Sequence, residues 1–192
     1  MDIDKSGKVQ DPRVKLSIYS TIERGEMKVI NGIIVHQTGA ATAQSSFNSY
    51  KGSDPNGAHF LLDKDGTIYQ TASIYQKTYH VGFIKSRCMV EHKCTPADVK
   101  ALKGKTVGRQ IGTVEKHKSF PNRYPDNSDS IGIEIVSAVR GQAFEPVTGA
   151  QQQSLAWLIA ELTSTLGISV QEIYRHPQVS WKNETEASTA QW

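Results

Sequence analysis

The stretch most informative about the fold is VINGIIVHQT, at residues 29–38. Its first seven residues are mostly apolar and β-branched, which is typical of a buried strand, and they lead directly into His36. A second such run, SIGIEIV at residues 130–136, predicts another strand, and a short third strand is predicted at 168–174, just before His176. Polar side chains at strand ends are typical of open α/β sheets, which place their sites there.

Turn and helix signals surround these strands. Two short apolar runs, 58–62 and 67–70, flank the sequence DKDG, and an Asp-Gly pair in that position predicts a β-hairpin. Thr148 begins a capping-box pattern that opens a helix with leucines on one face, and Gly167 is expected to end that helix. We therefore predict one α/β domain over residues 1–192, with a mixed central β-sheet flanked by helices.

Two segments fall outside this pattern. Residues 1–28 are polar and are expected to form an N-terminal arm wrapped on the domain. Residues 84–128 are rich in Lys, Arg, Pro and Asn, and predict an inserted surface region with one short helix capped by Thr95. The region holds the only cysteines, Cys88 and Cys94. They are either reduced thiols or a local disulfide, which would need an oxidising compartment.

Composition excludes several functional classes. A net charge of +3 over 192 residues is too small to argue for a nucleic-acid partner. No apolar run approaches the ~20 residues that a membrane-spanning helix needs. The first residues, MDIDK, carry no export signal. These features permit an anionic partner without requiring one, and we expect the protein to be made in the cytoplasm without a signal peptide.

Two histidines and a glutamate are the candidates for chemistry. His36 and His176 both follow predicted strands, and neutral imidazole is the commonest metal ligand. A catalytic zinc site needs three protein ligands and one open position, and the third ligand is expected in the acidic tail, at Glu184 or Glu186. Glu134 interrupts an apolar strand, so it is either a solvent-facing edge residue or a buried general base.

Five segments together are similar to one known family. They are IIVHQT at 33–38, AHFLLDKDGTIYQ at 58–70, YHVG at 79–82, SIGIE at 130–134, and His176 with Lys182. In this order they resemble the zinc-dependent N-acetylmuramoyl-L-alanine amidases, which are related to phage lysozyme-amidases and peptidoglycan recognition proteins. The resemblance spans about residues 29–188.

The resemblance implies cleavage between N-acetylmuramic acid and the L-alanine of the peptidoglycan stem peptide. His36 and His176 match the zinc ligands, and Glu134 matches the catalytic glutamate of one branch of the family. Another branch uses a tyrosine where this chain has Ala58. Lys182 matches the lysine that stabilises the oxyanion. For the third zinc ligand we favour Glu186, with a turn near Thr185, over Glu184.

Other roles follow from the same resemblance. His59 and His80 are expected to contact the substrate in the cleft. The alternative to an enzyme is a non-catalytic peptidoglycan-binding module on the same fold. A recycling amidase, a phage endolysin and a secreted antibacterial effector all fit the chain. We favour action in the periplasm of a target cell, with peptidoglycan or muropeptide as substrate, and an effector would imply an immunity protein.

Overall fold

The structure is a computed structural model that describes residues 1–192. Nine strands are present: β1 (Asp2–Ile3), β2 (Val9–Gln10), β3 (Val14–Leu16), β4 (Gly32–Gly39), β5 (Phe60–Leu62), β6 (Ile68–Gln70), β7 (Ser130–Arg140), β8 (Ala143–Phe144) and β9 (Ile173–Arg175). Strands β1 and β2 form a small antiparallel pair. The other seven form one sheet, in the order β3-β6-β5-β7-β4-β9, with β8 paired to β7.

The sheet is mixed, as predicted. Its central pairs β5–β7, β7–β4 and β4–β9 are parallel, whereas the predicted hairpin β5–β6 is antiparallel. Because β4, β7 and β9 run in the same direction, their carboxyl ends lie at one edge of the sheet. This arrangement brings His36, in the second half of β4, and His176, which follows β9, close to Glu134 in the middle of β7.

Six α-helices flank the sheet: α1 (Ala43–Tyr50), α2 (Arg87–Val90), α3 (Pro96–Leu102), α4 (Gly108–Glu115), α5 (Gly149–Leu166) and α6 (His176–Val179). The Thr148 capping box that begins α5 is confirmed, since the Thr148 hydroxyl accepts from the Gln151 amide. Gly167 ends α5 in the left-handed conformation, with φ of 68°. None of the helices combines the length and apolar content that crossing a membrane requires.

The two faces of the sheet carry different side chains, apolar on one face and partly polar on the other. Odd-numbered residues of β4 and β7, such as Val35 and Ile133, are fully buried in the main hydrophobic core together with Leu155 and Leu158 of α5. Because side chains alternate along a strand, the even-numbered residues point to the opposite face. His36 and Glu134 are among them, so the packing of α5 on one face aims both side chains at the other.

The N-terminal segment differs from the predicted arm. Residues 14–16 form β3, which pairs in parallel with β6 and so becomes an edge of the main sheet. The polar composition of residues 1–28 hid this strand, which is only three residues long. The predicted strand at 29–35 begins later, at Gly32, and the one at 168–174 is replaced by a 3-10 turn, Val170–Glu172, followed by β9.

Residues 84–128 contain three helices, α2, α3 and α4, where one was predicted. The Thr95 cap of α3 is confirmed by its bond from the Asp98 amide. The Lys118 ammonium joins the helices, because it lies 2.7 Å from Asp98 and 2.8 Å from Glu115. Cys88 and Cys94 form a disulfide within the region. Ion pairs between charged side chains therefore link these short helices, which have little apolar periodicity.

Candidate active site

A polar cavity of about 670 Å³ opens over the second half of β4, the middle of β7 and the carboxyl end of β9. It is walled on one side by α1 and on the other by the segment after β6. Most of the candidates for chemistry line it: His36, His80, Glu134, His176, Lys182 and Glu186. The fold thus collects residues that are up to 150 positions apart in the sequence.

Two imidazoles and one carboxylate meet at the base of the cavity. The Nδ1 atoms of His36 and His176 are 2.9 Å apart. Glu186 Oε1 lies 2.9 Å from His176 Nδ1 and 3.5 Å from His36 Nδ1. All three side chains are buried, and their ligand atoms lie within 4.8 Å of one another. This is the only such group of His, Cys, Asp or Glu side chains in the chain that could hold a metal ion.

The protein fixes which nitrogen of His176 faces this cluster. Its Nε2 lies 2.8 Å from the carbonyl oxygen of Val81, which can only accept, so the Nε2 atom carries the proton. Nδ1 therefore presents a lone pair toward His36 and Glu186. Metal-binding histidines are typically oriented in this way, by a backbone carbonyl that accepts from the ring nitrogen away from the metal.

Glu186 reaches the cluster because the chain turns back. The Glu186 amide donates to the Asn183 carbonyl, and the Thr185 amide donates to the Asn183 side chain. The next residue, Ala187, is fully buried, with its amide bonded to the Gln37 side chain. Burial acts to raise the pKa of Glu186, but the neighbouring His176 and His36 outweigh it and hold the pKa at about 2.

His36 is held from its other side by His80. His36 Nε2 lies 2.9 Å from His80 Nδ1, and His80 Nε2 lies 3.3 Å from the Ser130 carbonyl oxygen. Burial and the neighbouring His176 lower the pKa of His36 to about 4. Gly132 makes room for the His80 ring, since a Cβ atom there would lie 2.8 Å from it. His80 therefore lines the cavity and also contacts His36 directly.

Glu134 is the register partner of His36 on the adjacent parallel strand. Its Oε2 atom is buried without a hydrogen-bond partner. Burial, with repulsion from Glu186, raises the pKa of Glu134 to about 8, although the Lys182 charge acts to lower it. A carboxylate that is buried and unpaired is costly for folding, and this cost is typical of a functional group.

The side chains of Lys182 and Glu184 lie in different places. Lys182 lines the cavity and is exposed to solvent at its mouth. Glu184 does not line the cavity; its side chain is 82% exposed and lies 3.8 Å from Lys85. The structure thus brings Glu186, and not Glu184, to the two histidines.

His59 is not where the sequence analysis expects it. Its side chain is fully buried and does not line the cavity. Its Nδ1 atom accepts from the Gly132 amide and its Nε2 atom donates to the Gln76 carbonyl. With both ring nitrogens occupied by backbone groups, His59 ties β5 to β7 and cannot bind substrate in this arrangement.

Some supporting residues were not predicted. The Asn127 side-chain oxygen accepts from the amides of both His80 and Val81, and so places the His80 ring and the Val81 carbonyl together. Gln37 holds the turn that carries Glu186. Neither residue has a sequence signal of its own, since single Asn and Gln residues are common in loops and at strand ends.

Comparison with known proteins places the chain in a family. Residues 26–189 match the family model described as N-acetylmuramoyl-L-alanine amidase. The chain belongs to this family. It is therefore a member of the peptidoglycan amidases, as the five sequence motifs predicted, and enzymes of the family are typically zinc-dependent. A comparison with curated protein sequences finds no significant match.

Solved structures share the fold of this amidase at low sequence identity. A selenomethionine derivative of AmpD superposes with a TM-score of 0.61 at 16% identity, covering 100% of this chain and 96% of that one. The endolysin amidase LysCS from Clostridium intestinale URNW gives 0.54 at 18%, covering 90% and 86%. The catalytic domain of XlyA gives 0.55 at 20%, covering 88% and 87%. These likenesses confirm the predicted fold class.

Proposed function

We propose that the protein is a zinc-dependent amidase that cleaves peptidoglycan between N-acetylmuramic acid and the L-alanine of the stem peptide. The observation that carries this proposal is the buried cluster of His36, His176 and Glu186 beside the unpaired carboxylate of Glu134. Membership of the amidase family supplies the substrate class.

The donor set fits zinc. Two imidazole nitrogens and one carboxylate oxygen would supply the three protein ligands that catalytic zinc sites use. The lone pair of His176 already points to the centre, because its other nitrogen donates to Val81. When bound, zinc polarises the scissile carbonyl and lowers the pKa of a coordinated water toward ~7.

Glu134 is positioned to handle the protons. Glu134 lines the cavity and its Oε2 atom has no hydrogen-bond partner within the protein, so the carboxyl group is available to accept a proton from the attacking water. A pKa near the working pH lets one carboxyl group first accept a proton and then give it to the leaving amine of L-alanine. The raised pKa of Glu134, about 8 before any cation is bound, is in this range.

Lys182 supplies positive charge at the mouth of the cavity. Amide hydrolysis develops negative charge on the former carbonyl oxygen, and a cation held near that oxygen lowers the barrier. Lys182 comes just before the turn that begins at Asn183, and this turn brings Glu186 to the two histidines. Lys182 and Glu186 therefore line the same cavity with separate roles, Lys182 as the cation near the substrate carbonyl and Glu186 as a metal ligand.

Digestion of purified sacculi tests the proposal. The expected products are peptide-free glycan strands and free stem peptides with an L-alanine amino terminus, identified by mass spectrometry. A chelator should stop their release and added zinc should restore it. Binding to sacculi without cleavage would instead indicate a non-catalytic module, and cleavage at another bond would contradict the proposed specificity.

We further propose that the enzyme acts outside the reducing cytoplasm, in the periplasm of a target cell. The disulfide between Cys88 and Cys94 supports this, because disulfides persist in oxidising compartments. An immunity protein that covers the cavity stays a prediction. To test the compartment, the protein is expressed in bacteria either with an added periplasmic export signal or without one. Cell lysis is expected only from the exported form.

A further inference from the structure

Positive charge is concentrated in the inserted region. Residues 84–128 hold ten Lys and Arg side chains and four Asp and Glu side chains, a net charge of +6. The whole chain has a net charge of only +3, so the residues outside this region have a net charge of −3. The proposed catalytic steps use none of these ten cations, and their concentration on one part of the chain is unexplained by them.

Helices α3 and α4 expose the unpaired part of this charge. Between residues 95 and 118 the only acids are Asp98 and Glu115, and both contact the Lys118 ammonium, at 2.7 and 2.8 Å. The Lys118 side chain is only 16% exposed, so both acids are paired at a largely buried position. Five cations of the two helices remain exposed without an ion-pair partner: Lys100, Lys103, Lys105, Arg109 and Lys116.

The five exposed side chains form a cationic strip along α3 and α4. Lys100 and Lys103 are three residues apart at the end of α3, so they are neighbours on the helix surface. Lys105 lies in the short connection between the helices. Arg109 and Lys116 are two turns apart on one face of α4, which separates them by about 10 Å along the helix axis. The strip is therefore too long for one small anion to cover.

The cationic strip is close to one wall of the cavity. A Cβ atom at Gly108 of α4 would lie 2.7 Å from the ring of Trp181, so the helix packs directly on that ring. Trp181 is the sequence neighbour of Lys182, which lines the cavity. A single segment of chain thus lies between α4 and the cavity, and a polymer that enters the cavity extends past this segment to the helix.

Charge and composition indicate the kind of partner. Grouped cations repel one another, so a polyanion that covers them is bound favourably. Residues 95–118 contain no aromatic side chain, on which the bases of a single-stranded nucleic acid would stack. Their exposed apolar residues are Val99 and Val107, not the Trp, Phe or Leu side chains that enter a lipid surface. These features favour a hydrated, repeating anion over a nucleic acid or a membrane.

We propose that the cationic strip is a second contact with peptidoglycan, which binds the free carboxylates of stem peptides other than the one being cleaved. The proposal rests on the proposed function and extends it from one scissile bond to the polymer. Stem peptides carry free carboxylates, so peptidoglycan is a repeating polyanion. Lysine ammonium groups are hydrated point charges on flexible stems, which suits anions without one fixed orientation. Several weak contacts with the same polymer raise the effective concentration of the enzyme at its substrate.

Binding of an inactive protein to purified sacculi tests the cationic strip. Zinc-loaded Glu134→Gln protein is mixed with sacculi that are free of phosphate polymers, and the bound fraction is measured by sedimentation at low and high salt. We expect binding to weaken as salt rises, because salt screens exposed charges. The triple variant Lys100→Glu, Lys103→Glu and Lys105→Glu should bind at least fivefold more weakly at low salt and should respond less to added salt.

Two controls separate the cationic strip from net charge alone. Lys5→Glu, Lys15→Glu and Lys28→Glu together change the net charge by the same amount at exposed lysines elsewhere, and should weaken binding less than twofold. Sacculi whose carboxylates have been converted to neutral amides should lose the salt-sensitive part of the binding to the parent protein. In the active enzyme, the strip variant should lower the rate on sacculi relative to that on a soluble muramoyl-peptide at least fivefold.

Four results would overturn the second contact. They are unchanged binding by the strip variant, equal losses in the two triple variants, undiminished binding of the parent to amidated sacculi, and tighter binding of the parent to phosphatidylglycerol vesicles than to sacculi. The last would assign the strip to a lipid surface. None of them would affect the proposed function, which is judged by whether the wild-type enzyme cleaves the soluble muramoyl-peptide.

Discussion

His36 and Glu134 are register partners on the parallel strands β4 and β7, and both side chains line the same cavity. The opposite face of both strands is packed against α5 through residues such as Val35 and Ile133. A shift of one residue in either strand would exchange its two faces and bury the functional side chain in the core. The hydrophobic core therefore fixes the pairing between the proposed zinc ligand His36 and the proposed base Glu134.

Glu134→Gln should abolish most turnover and leave the fold and the zinc content intact. The glutamine keeps the size of the side chain but cannot accept a proton, and loss of a general base typically costs about 10²–10⁴-fold in rate. Release of L-alanyl peptides from sacculi measures turnover. The matched control is Glu184→Gln, which changes an exposed glutamate and should retain activity. Near-normal cleavage by Glu134→Gln would place the base elsewhere.

The same substitution should stabilise the metal-free protein at alkaline pH. The folded-state pKa of Glu134, about 8, lies above its ordinary value of 4.5. The contribution of protonated Glu134 to the free energy of unfolding is therefore fully present below pH 4.5 and is lost as the pH rises toward 8. The reason is that the carboxyl group of Glu134 loses its proton at a lower pH in the unfolded chain than in the folded protein. Urea unfolding of chelator-treated protein should show Glu134→Gln more stable by about 1–3 kcal/mol at pH 8, with a smaller difference at pH 5. No difference at pH 8 would indicate that Glu134 ionises freely.

Local sequence signals predicted the elements that position the site. These signals are the apolar runs around His36 and Glu134, the Asp65-Gly66 hairpin and the Thr148 cap. Each acts through residues that are close in the sequence, so each could be predicted without knowing any tertiary contact. The expected proximity of His36 and His176 followed from the rule that parallel strands end at one edge.

Tertiary contacts determine what the sequence could not show. His59 matched a family motif, yet the Gly132 amide and the Gln76 carbonyl occupy its ring. The helices of residues 84–128 are linked by ion pairs such as Lys118 with Asp98, which join side chains twenty positions apart. Neither the contacts of the His59 ring nor these ion pairs produce a periodic or local sequence pattern from which they could be predicted.

Glu186→Ala should lose zinc, whereas Glu184→Ala should keep it. Glu186 contacts both histidines from a buried position, while Glu184 is exposed and lies near Lys85. Removal of a ligand lowers metal affinity and, with it, the stability that metal binding adds. Elemental analysis of protein purified without added metal, together with melting temperatures before and after chelation, measures both effects. Zinc loss from Glu184→Ala instead would mean that the tail rearranges when metal binds.

Loss of the disulfide should destabilise the region of α2. Cys88 and Cys94 close a short loop, and a crosslink over that length contributes about 2 kcal/mol by restricting the unfolded chain. Cys88→Ser with Cys94→Ser should therefore lower the melting temperature in oxidising buffer. A reductant should lower the melting temperature of the wild type and leave that of the double variant unchanged. Equal stability of the two proteins without reductant would show that the bond adds nothing to folding.

His80→Ala should weaken zinc binding although His80 is outside the ligand cluster. For the His36 Nδ1 lone pair to face His176 and Glu186, the proton of His36 must sit on Nε2 and be donated to His80 Nδ1, 2.9 Å away. His80 then carries its own proton on Nε2, toward the Ser130 carbonyl. Partners of this type typically contribute about 10–100-fold in metal affinity.

Competition with a chromophoric chelator measures this affinity without any need for activity. His80→Asn keeps a side-chain acceptor and should recover part of the loss, which a merely space-filling role would not produce. His92→Ala, on the exposed surface of the inserted region, is the control and should bind zinc as the wild type does. If His80→Ala retained full affinity, the orientation of His36 would have to come from the register of β4 and β7 alone.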